Sequence, residues 1–579
     1  MKKIIVLLLI GMLVFSSIGV FGAQLQQEES QEKIITSLSF SDPQILLEEQ
    51  GASISFEEMT GSTIIPKSPM LPKYTELYTL PLGSTIDDIS VECSNERFFS
   101  LSEEVMPAPS YQFINEFSQP VYEKGPIYET NTWYPQKSFE YDLGAGIVNG
   151  ERCLIVSVTC YPISYQPSSN ELKMFESQAI EVTYTPPEQP IVFADEYDLV
   201  IITDEKFSSS VQRLADHKNQ MGVSTVIQTT QEIQSGYSGS DDPEKIKHFI
   251  RDAVESWGID YVLMIGDSFA MPMRMAHVRA WDYDEIPTDL YYADVYDEEL
   301  DFCDWDRDND GRYGEYDWEM GPTDGQDMYP DVYIGRLPCK SSFDLGIMIK
   351  KIITYETSAA GSSWANRALL MGGDTFPSHG VIEGEVVTQA IADELSGFDI
   401  TKLWTSQGNY NPLSINTQWS KGAGFVSYSG HGYMHGWGTS PPNTEQRIEY
   451  YSPYILGMLN FNKLPIVFFD ACSTGHFDYL LNGISVSSIA CLLLMIPFGG
   501  AVATIGSTRV AYTHVGHDGI NGGAGYLNLH FFKAYEDGTS LGDMFASSIS
   551  DYLTYVHPDC LTLDEFTLFG DPSLKIGGY

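Results

Sequence analysis

Two short motifs place residues able to do covalent chemistry: Ser429-Gly430-His431-Gly432 and Asp470-Ala471-Cys472. A thiolate is a strong nucleophile, but it needs a depressed pKa or a neighbouring base. An imidazole supplies that base and then returns the proton to a leaving amine. Glycines on both sides of His431 let backbone approach closely. The backbone N–H groups of Gly432 and Cys472 are then candidates to stabilise an oxyanion. A lone strand-end cysteine is ordinarily a buried thiol, and a lone Gly-His-Gly is ordinarily a turn. The pair, in this order, carries the reading of a Cys–His catalytic site.

Each reactive residue is delivered by an apolar run, Phe425-Val426-Ser427-Tyr428-Ser429 for the histidine and Pro465-Ile466-Val467-Phe468-Phe469 for the cysteine. Such runs mark strands buried on both faces. Sites in open parallel sheets form at the carboxyl ends of strands. The spacing between the motifs leaves room for a helix and loops between adjacent parallel strands. The same grammar begins at Tyr197. Strands are expected at 199–202, 224–228, 261–265, 368–371, 424–429, 466–469 and 501–505, and helices at 208–220 and 243–257. Alternating strand and helix implies an α/β domain over 195–579. Residues 24–190 read instead as an all-β sandwich, with β-prone runs such as Leu154–Thr159 and Ile180–Tyr184 between Pro- and Gly-containing turns. The proline-rich stretch 185–190 reads as a linker.

The ordered motifs resemble the gingipain family of cysteine peptidases, within the caspase-like clan. Besides the His and Cys motifs, the resemblance rests on Tyr197-Asp198-Leu199-Val200-Ile201-Ile202-Thr203, Leu263-Met264-Ile265-Gly266-Asp267, Asp331-Val332-Tyr333-Ile334-Gly335-Arg336-Leu337-Pro338 and Phe569-Gly570-Asp571-Pro572-Ser573-Leu574. It implies a three-layer caspase-like α/β domain with a mainly parallel sheet, acting on protein or peptide substrates. It also implies an N-terminal prodomain that inhibits in cis until cut away near 185–195. The family's third catalytic residue, an acid orienting the histidine, maps to Asp374 in Leu370-Met371-Gly372-Gly373-Asp374. A strand-end capping role is the alternative for that aspartate. An acid that receives a basic substrate side chain maps to Glu383 or Glu385, and both also suit the solvated face of an amphipathic helix. On the same fold, a noncatalytic secreted binding protein or a transpeptidase are the rival functions.

Three further features bound the answer. Residues 1–23 read as a signal peptide, cleaved or retained as an anchor: Lys2 and Lys3, an apolar stretch over 4–15, then small residues to Gly22-Ala23. This implies an extracellular destination. A second apolar run, 486–506, is broken by Pro497, Gly499 and Gly500. It reads as a buried helix over 485–495 and a buried strand rather than a membrane span. The formal net charge of −47 excludes nucleic acid as a partner class. The eight cysteines are irregularly spaced, without a disulfide framework. Cys153 and Cys160, seven apart on one strand, would face opposite sides.

The acidic stretch 282–331 contains Asp306-Arg307-Asp308-Asn309-Asp310-Gly311, which opens like a twelve-residue calcium loop. Asp306, Asp308 and Asp310 are the candidate side-chain ligands, Arg312 would ligate through its carbonyl, and Asp317, or Glu315 in another geometry, would close the shell. The expected role of calcium is structural. His431 and His435 have the spacing of a zinc pair on a helix, but Gly430, Gly432, Gly436 and Gly438 argue against a helix there. His476 stands near enough to Cys472 in sequence to influence the thiol.

Overall fold

The computed structural model describes residues 31–109, 112–113, 121–278, 284–317, 321–377, 380–556 and 559–579. The segment read as a signal peptide lies outside them. Two four-stranded antiparallel sheets and a two-stranded hairpin, Gln44–Glu48 with Gly51–Ser55, make up most of the N-terminal region. Their facing sides enclose Tyr78, Leu154, Val156, Val158, Ile180 and Val182. Cys160 belongs to this core, whereas Cys153, on the opposite face of the Glu151–Cys160 strand, packs into the core of the larger domain. None of the eight cysteines is in a disulfide.

The last strand of this region ends at Thr185, and the larger domain begins its sheet at Leu199. We number that sheet's ten strands β1 (Leu199–Thr203), β2 (Thr225–Thr229), β3 (Tyr261–Ile265), β4 (Tyr333–Leu337), β5 (Arg367–Gly372), β6 (Asp399–Trp404), β7 (Phe425–Ser429), β8 (Ile466–Asp470), β9 (Ala503–Ser507) and β10 (Phe566–Phe569). Their spatial order is β2-β1-β3-β4-β10-β9-β8-β7-β5-β6. Every neighbouring pair is parallel except β9 and β10, which are antiparallel. The sheet is thus two parallel halves joined at a seam, and the carboxyl ends of the two halves open at opposite edges.

Strands β1, β7 and β8 are buried at every position, which is why they read as uninterrupted apolar runs. Helices α1 (Ser208–Met221), α3 (Ser342–Ser358) and α5 (Ile489–Met495) pack together as one helical layer. Helices α4 (Glu383–Glu394), α6 (Gly523–Lys533) and α7 (Leu541–Tyr555) form another. Helix α2 (Asp242–Trp257) shows how local sequence sets an element. The Asp241 side chain accepts from the Glu244 N–H at its start, and Gly258, at φ +76°, ends it.

Helix α5 departs from expectation. It begins at Ile489, because Leu480–Leu481 and Ile484–Ser485 pair as a hairpin around Asn482-Gly483, both at positive φ. Among the described residues no helix is long and apolar enough to cross a membrane.

The N-terminal region docks on the acidic insertion. Ala145 N–H donates to Asp327 Oδ2 at 2.7 Å, Ile147 N–H to the Pro330 carbonyl at 2.8 Å, and Arg152 Nε to the Asp331 carbonyl at 3.0 Å. Gly144 and Gly146 leave the space in which the Tyr329 side chain lies, since a Cβ at either would collide with it.

Candidate active site

Strands β7 and β8 run side by side with Ser429 opposite Asp470, so the residues just beyond them emerge together. Gly430, at φ +153°, donates its N–H to the Asp470 carbonyl at 3.1 Å. His431 then enters a hairpin, Tyr433 and Gly436 closing the turn that contains His435. Gly432 lies directly on the Cys472 backbone, and a Cβ there would approach Ala471 Cβ to 2.7 Å and the Cys472 nitrogen to 2.9 Å. Only glycine allows the histidine-bearing chain to pass this close.

Both reactive side chains are buried, Cys472 at 1% exposure and His431 at 0%. His431 Nε2 lies 2.9 Å from the Thr375 carbonyl. A carbonyl only accepts, so Nε2 carries a proton, and in the neutral ring Nδ1 keeps its lone pair. The Phe376 ring meets the imidazole edge to face at 6.4 Å. The Cys472 thiol donates to the Ala511 carbonyl at 3.5 Å. Burial pushes this thiol well above its ordinary range, and Glu565 adds to the effect. Ser473 follows in a left-handed conformation, φ +52°, with its N–H donating to the Arg509 carbonyl at 2.6 Å. That turn swings the chain away from the thiol. His476 is engaged with Asp478, at 3.5 Å, and Asp478 makes a two-pronged pair with Arg509 at 2.9 and 2.7 Å. Burial, with Arg509 nearby, lowers the His476 pKa to about 4, so this ring is neutral.

Asp374 stands immediately after β5 and Gly373, one residue before the carbonyl that holds His431. Its backbone pairs with Ser440, beyond the histidine hairpin, at 2.9 and 3.3 Å. Its Oδ2 accepts from the Asn443 N–H at 2.9 Å, whereas Oδ1 is buried without a hydrogen bond from the described residues. Burial, with Glu385 nearby, raises its pKa. Glu383 and Glu385 open α4, and the structure buries both rather than solvating them. Glu385 takes the Ser406 N–H at 2.9 Å, the Ser406 hydroxyl at 2.6 Å and the Thr405 hydroxyl at 3.3 Å. Glu383 accepts from the Phe376 N–H at 3.3 Å and the Gly516 N–H at 3.2 Å, which bridges the loop after β5 to the far wall of the site. Burial pushes its carboxyl up to about 7.

The N-terminal region reaches the same wall. Backbone at Gln112–Phe113 pairs antiparallel with Tyr512–Thr513, directly beyond the Ala511 carbonyl that accepts the thiol. Nothing local in either segment announces this pairing. The contacts from Thr375 and Ala511 are likewise backbone carbonyls, which leave no residue-type signal.

In the acidic insertion, carboxylate oxygens of Asp306, Asp308 and Asp310 lie within 4.8 Å of one another. The Gly311 N–H donates to both Asp306 oxygens at 3.2 Å, and the Arg312 N–H to Asp310 Oδ1 at 2.8 Å. The Arg312 guanidinium pairs with Glu315 at 2.8 Å. Asp317 lies in a short strand, Tyr316–Asp317, and its side chain falls outside those described.

The description "Peptidase family C25" matches residues 194–577. Gingipain R1 of Porphyromonas gingivalis is 24% identical over 562 residues, covering 87% of this chain and 51% of that protein. Lys-gingipain of the same organism is 22% identical over 568 residues, covering 89% and 29%. This chain therefore spans about half the length of gingipain R1. The solved structure of the Arg-specific cysteine proteinase gingipain R aligns with a TM-score of 0.49 at 22% identity, covering 67% of this chain and 80% of that one. The match over 194–577 contains both reactive motifs and all ten strands of the sheet, and the chain belongs to peptidase family C25, the gingipain-type cysteine peptidases.

Proposed function

We propose that this chain is a secreted cysteine endopeptidase made as a zymogen. One observation carries the reading: the register of β7 and β8 brings His431 and Cys472 out of the sheet side by side, with Nε2 of the histidine held by the Thr375 carbonyl. Nδ1 is then the base. It takes the thiol proton as Sγ attacks the scissile carbonyl, and it returns that proton to the departing amine. The N–H groups of Gly432 and Cys472 stabilise the oxyanion, and water releases the acyl group from sulfur. Asp374 braces the hairpin that carries the histidine and supplies negative charge behind it.

Latency comes from the N-terminal region. Its Gln112–Phe113 backbone occupies the Tyr512–Thr513 edge in the manner of an added strand, and a substrate would need that edge. The thiol in this state is buried and protonated, as an inactive precursor requires. Cutting within 185–195 frees the inhibitory region. Of the acids considered for a basic substrate side chain, Glu385 is saturated by Ser406 and Thr405. Glu383 likewise engages both oxygens, with the Phe376 and Gly516 N–H groups, so a preference for cleavage after Lys or Arg requires one of these two carboxylates to exchange its donors for the substrate cation. Calcium binds Asp306, Asp308 and Asp310, whose converging carboxylates suit a hard cation, with the Arg312 carbonyl and Asp317 completing the loop. It orders the insertion on which the N-terminal region docks and takes no part in the thiol chemistry.

A peptide library digested by processed, calcium-loaded protein and by Cys472→Ala tests the central reading. Cleavage by the first and none by the second is expected. A processed wild-type protein that cuts no peptide would sink it. For calcium, Asp308→Asn is expected to remove a calcium-induced rise in melting temperature of about 2–4 °C. An equal rise in both proteins would show that the ion binds elsewhere.

A further inference from the structure

Two residues that no catalytic step uses tie the reactive strands together. Ser429 and Asp470 face each other in register, each two positions before its reactive residue. The Ser429 hydroxyl donates to Asp470 Oδ2 at 2.6 Å, and the Gly430 N–H donates to the Asp470 carbonyl at 3.1 Å. Both side chains are buried, at 4% and 2% exposure. Beyond this rung the ladder ends: His431 turns into its hairpin and Cys472 into the turn at Ser473. The rung is the last fixed point from which ring and sulfur are both suspended. We infer that Ser429 and Asp470 form a positioning clamp for the His431–Cys472 pair, and that Asp470 must be uncharged for the thiol to ionise.

The clamp's second half follows from what surrounds Asp470. Its Oδ1 is buried and takes no hydrogen bond from the described residues, a poor setting for an anion. Burial accordingly pushes the carboxyl up to about 7. The charged groups that act on the thiol are Glu565, from the segment before β10, and Asp470 itself, and Glu565 in turn faces Asp559, Asp564 and Arg509. An ionised Glu565 and an ionised Asp470 would each oppose a thiolate, and burial raises both carboxyls. A neutral Asp470 holds Ser429 without adding that opposing charge. Above about pH 7 the same residue becomes an anion two positions from the nucleophile. This inference rests on the peptidase reading, but its central readout does not require catalysis.

The test follows alkylation of Cys472 by iodoacetamide, resolved by mass spectrometry, in the processed protein across pH, alongside peptide turnover by the same protein. Asp470→Asn keeps an acceptor for Ser429 and cannot ionise. It is expected to react about tenfold faster than wild type near about pH 8 and at the same rate near about pH 5.5. Ser429→Ala is expected to lower kcat about tenfold with KM unchanged, and Ser429→Thr to restore it. A rate ratio for Asp470→Asn that is flat with pH overturns the charge argument. Unchanged kcat in Ser429→Ala overturns the clamp. Should Ser429→Ala fail to fold, a threonine variant as slow as a Ser429→Val variant overturns it equally. If wild-type protein cuts no peptide while the alkylation ratio rises with pH, the peptidase reading fails and the role of Asp470 stands.

Discussion

The ends of β4 and β8, one in each half of the sheet, treat buried polar groups in opposite ways. Near the end of β4, Arg336 is fully buried and completely answered. Asp289 grips it at 2.8 and 2.6 Å, and the Gly266, Met271 and Pro272 carbonyls lie at 3.3 Å. At the ends of β5 and β8, carboxyl oxygens of Asp374 and Asp470 are buried without donors among the described residues, and the thiol has a single weak acceptor. Satisfied groups build a scaffold, whereas groups with unmet hydrogen-bonding capacity are costly to stability and available to chemistry. At these two strand ends the tasks fall on opposite edges of one sheet.

The contrast breaks most sharply at two buried cysteines. Cys339 follows β4 and Cys472 follows β8. Cys472→Ala is expected to cut peptide hydrolysis by about 10⁴-fold or more, whereas Cys339→Ala should leave it within about twofold, by initial rates on one substrate. Equal losses would show that the halves are not functionally distinct. Next in size is Arg336→Met, which leaves Asp289 buried and uncompensated. A loss of about 3–5 kcal/mol in denaturant unfolding is expected, with turnover per folded molecule preserved. A stable Arg336→Met protein that is slow per molecule would reverse the assignment of scaffold and site.

The smallest expected effect sharpens the comparison through pH. The Glu383 carboxyl is raised from 4.5 to about 7. Between those values the unfolded chain has released this proton while the folded chain keeps it. This contribution is therefore full below about pH 4.5 and declines as pH rises to about 7. Glu383→Gln should match wild type near pH 4.5 and exceed it by about 1–2 kcal/mol at neutral pH, read from thermal melts across pH. A difference that does not grow with pH would mean that Glu383 is ionised in the fold.

Much of this architecture was legible because burial on both faces writes strands as apolar runs, as at Leu199–Ile202 and Ile466–Phe469. Reactive residues at strand ends were legible for the same reason, since the run points to its own terminus. Strand direction across the seam was not, because an apolar run reads alike in parallel and antiparallel neighbours. Glu383 and Glu385 suited a solvated helix face, and only the fold turns the first turn of α4 inward onto Phe376 and Ser406. The α5 start at Ile489 was readable in part, since Asn482-Gly483 is a hairpin signal lying just ahead of it. Ser429 and Asp470 matter through their register, a relation between two strands that neither strand states alone.

Strand β10 occupies the middle of the sheet, between β4 and β9, although its residues, 566–569, follow those of all nine other strands in the chain. A ribosome emits β1 to β4 and β5 to β9 as two leaves that have no common neighbour until this strand arrives. The order of synthesis gives the N-terminal region, made first, time to form before the last strand joins the two leaves.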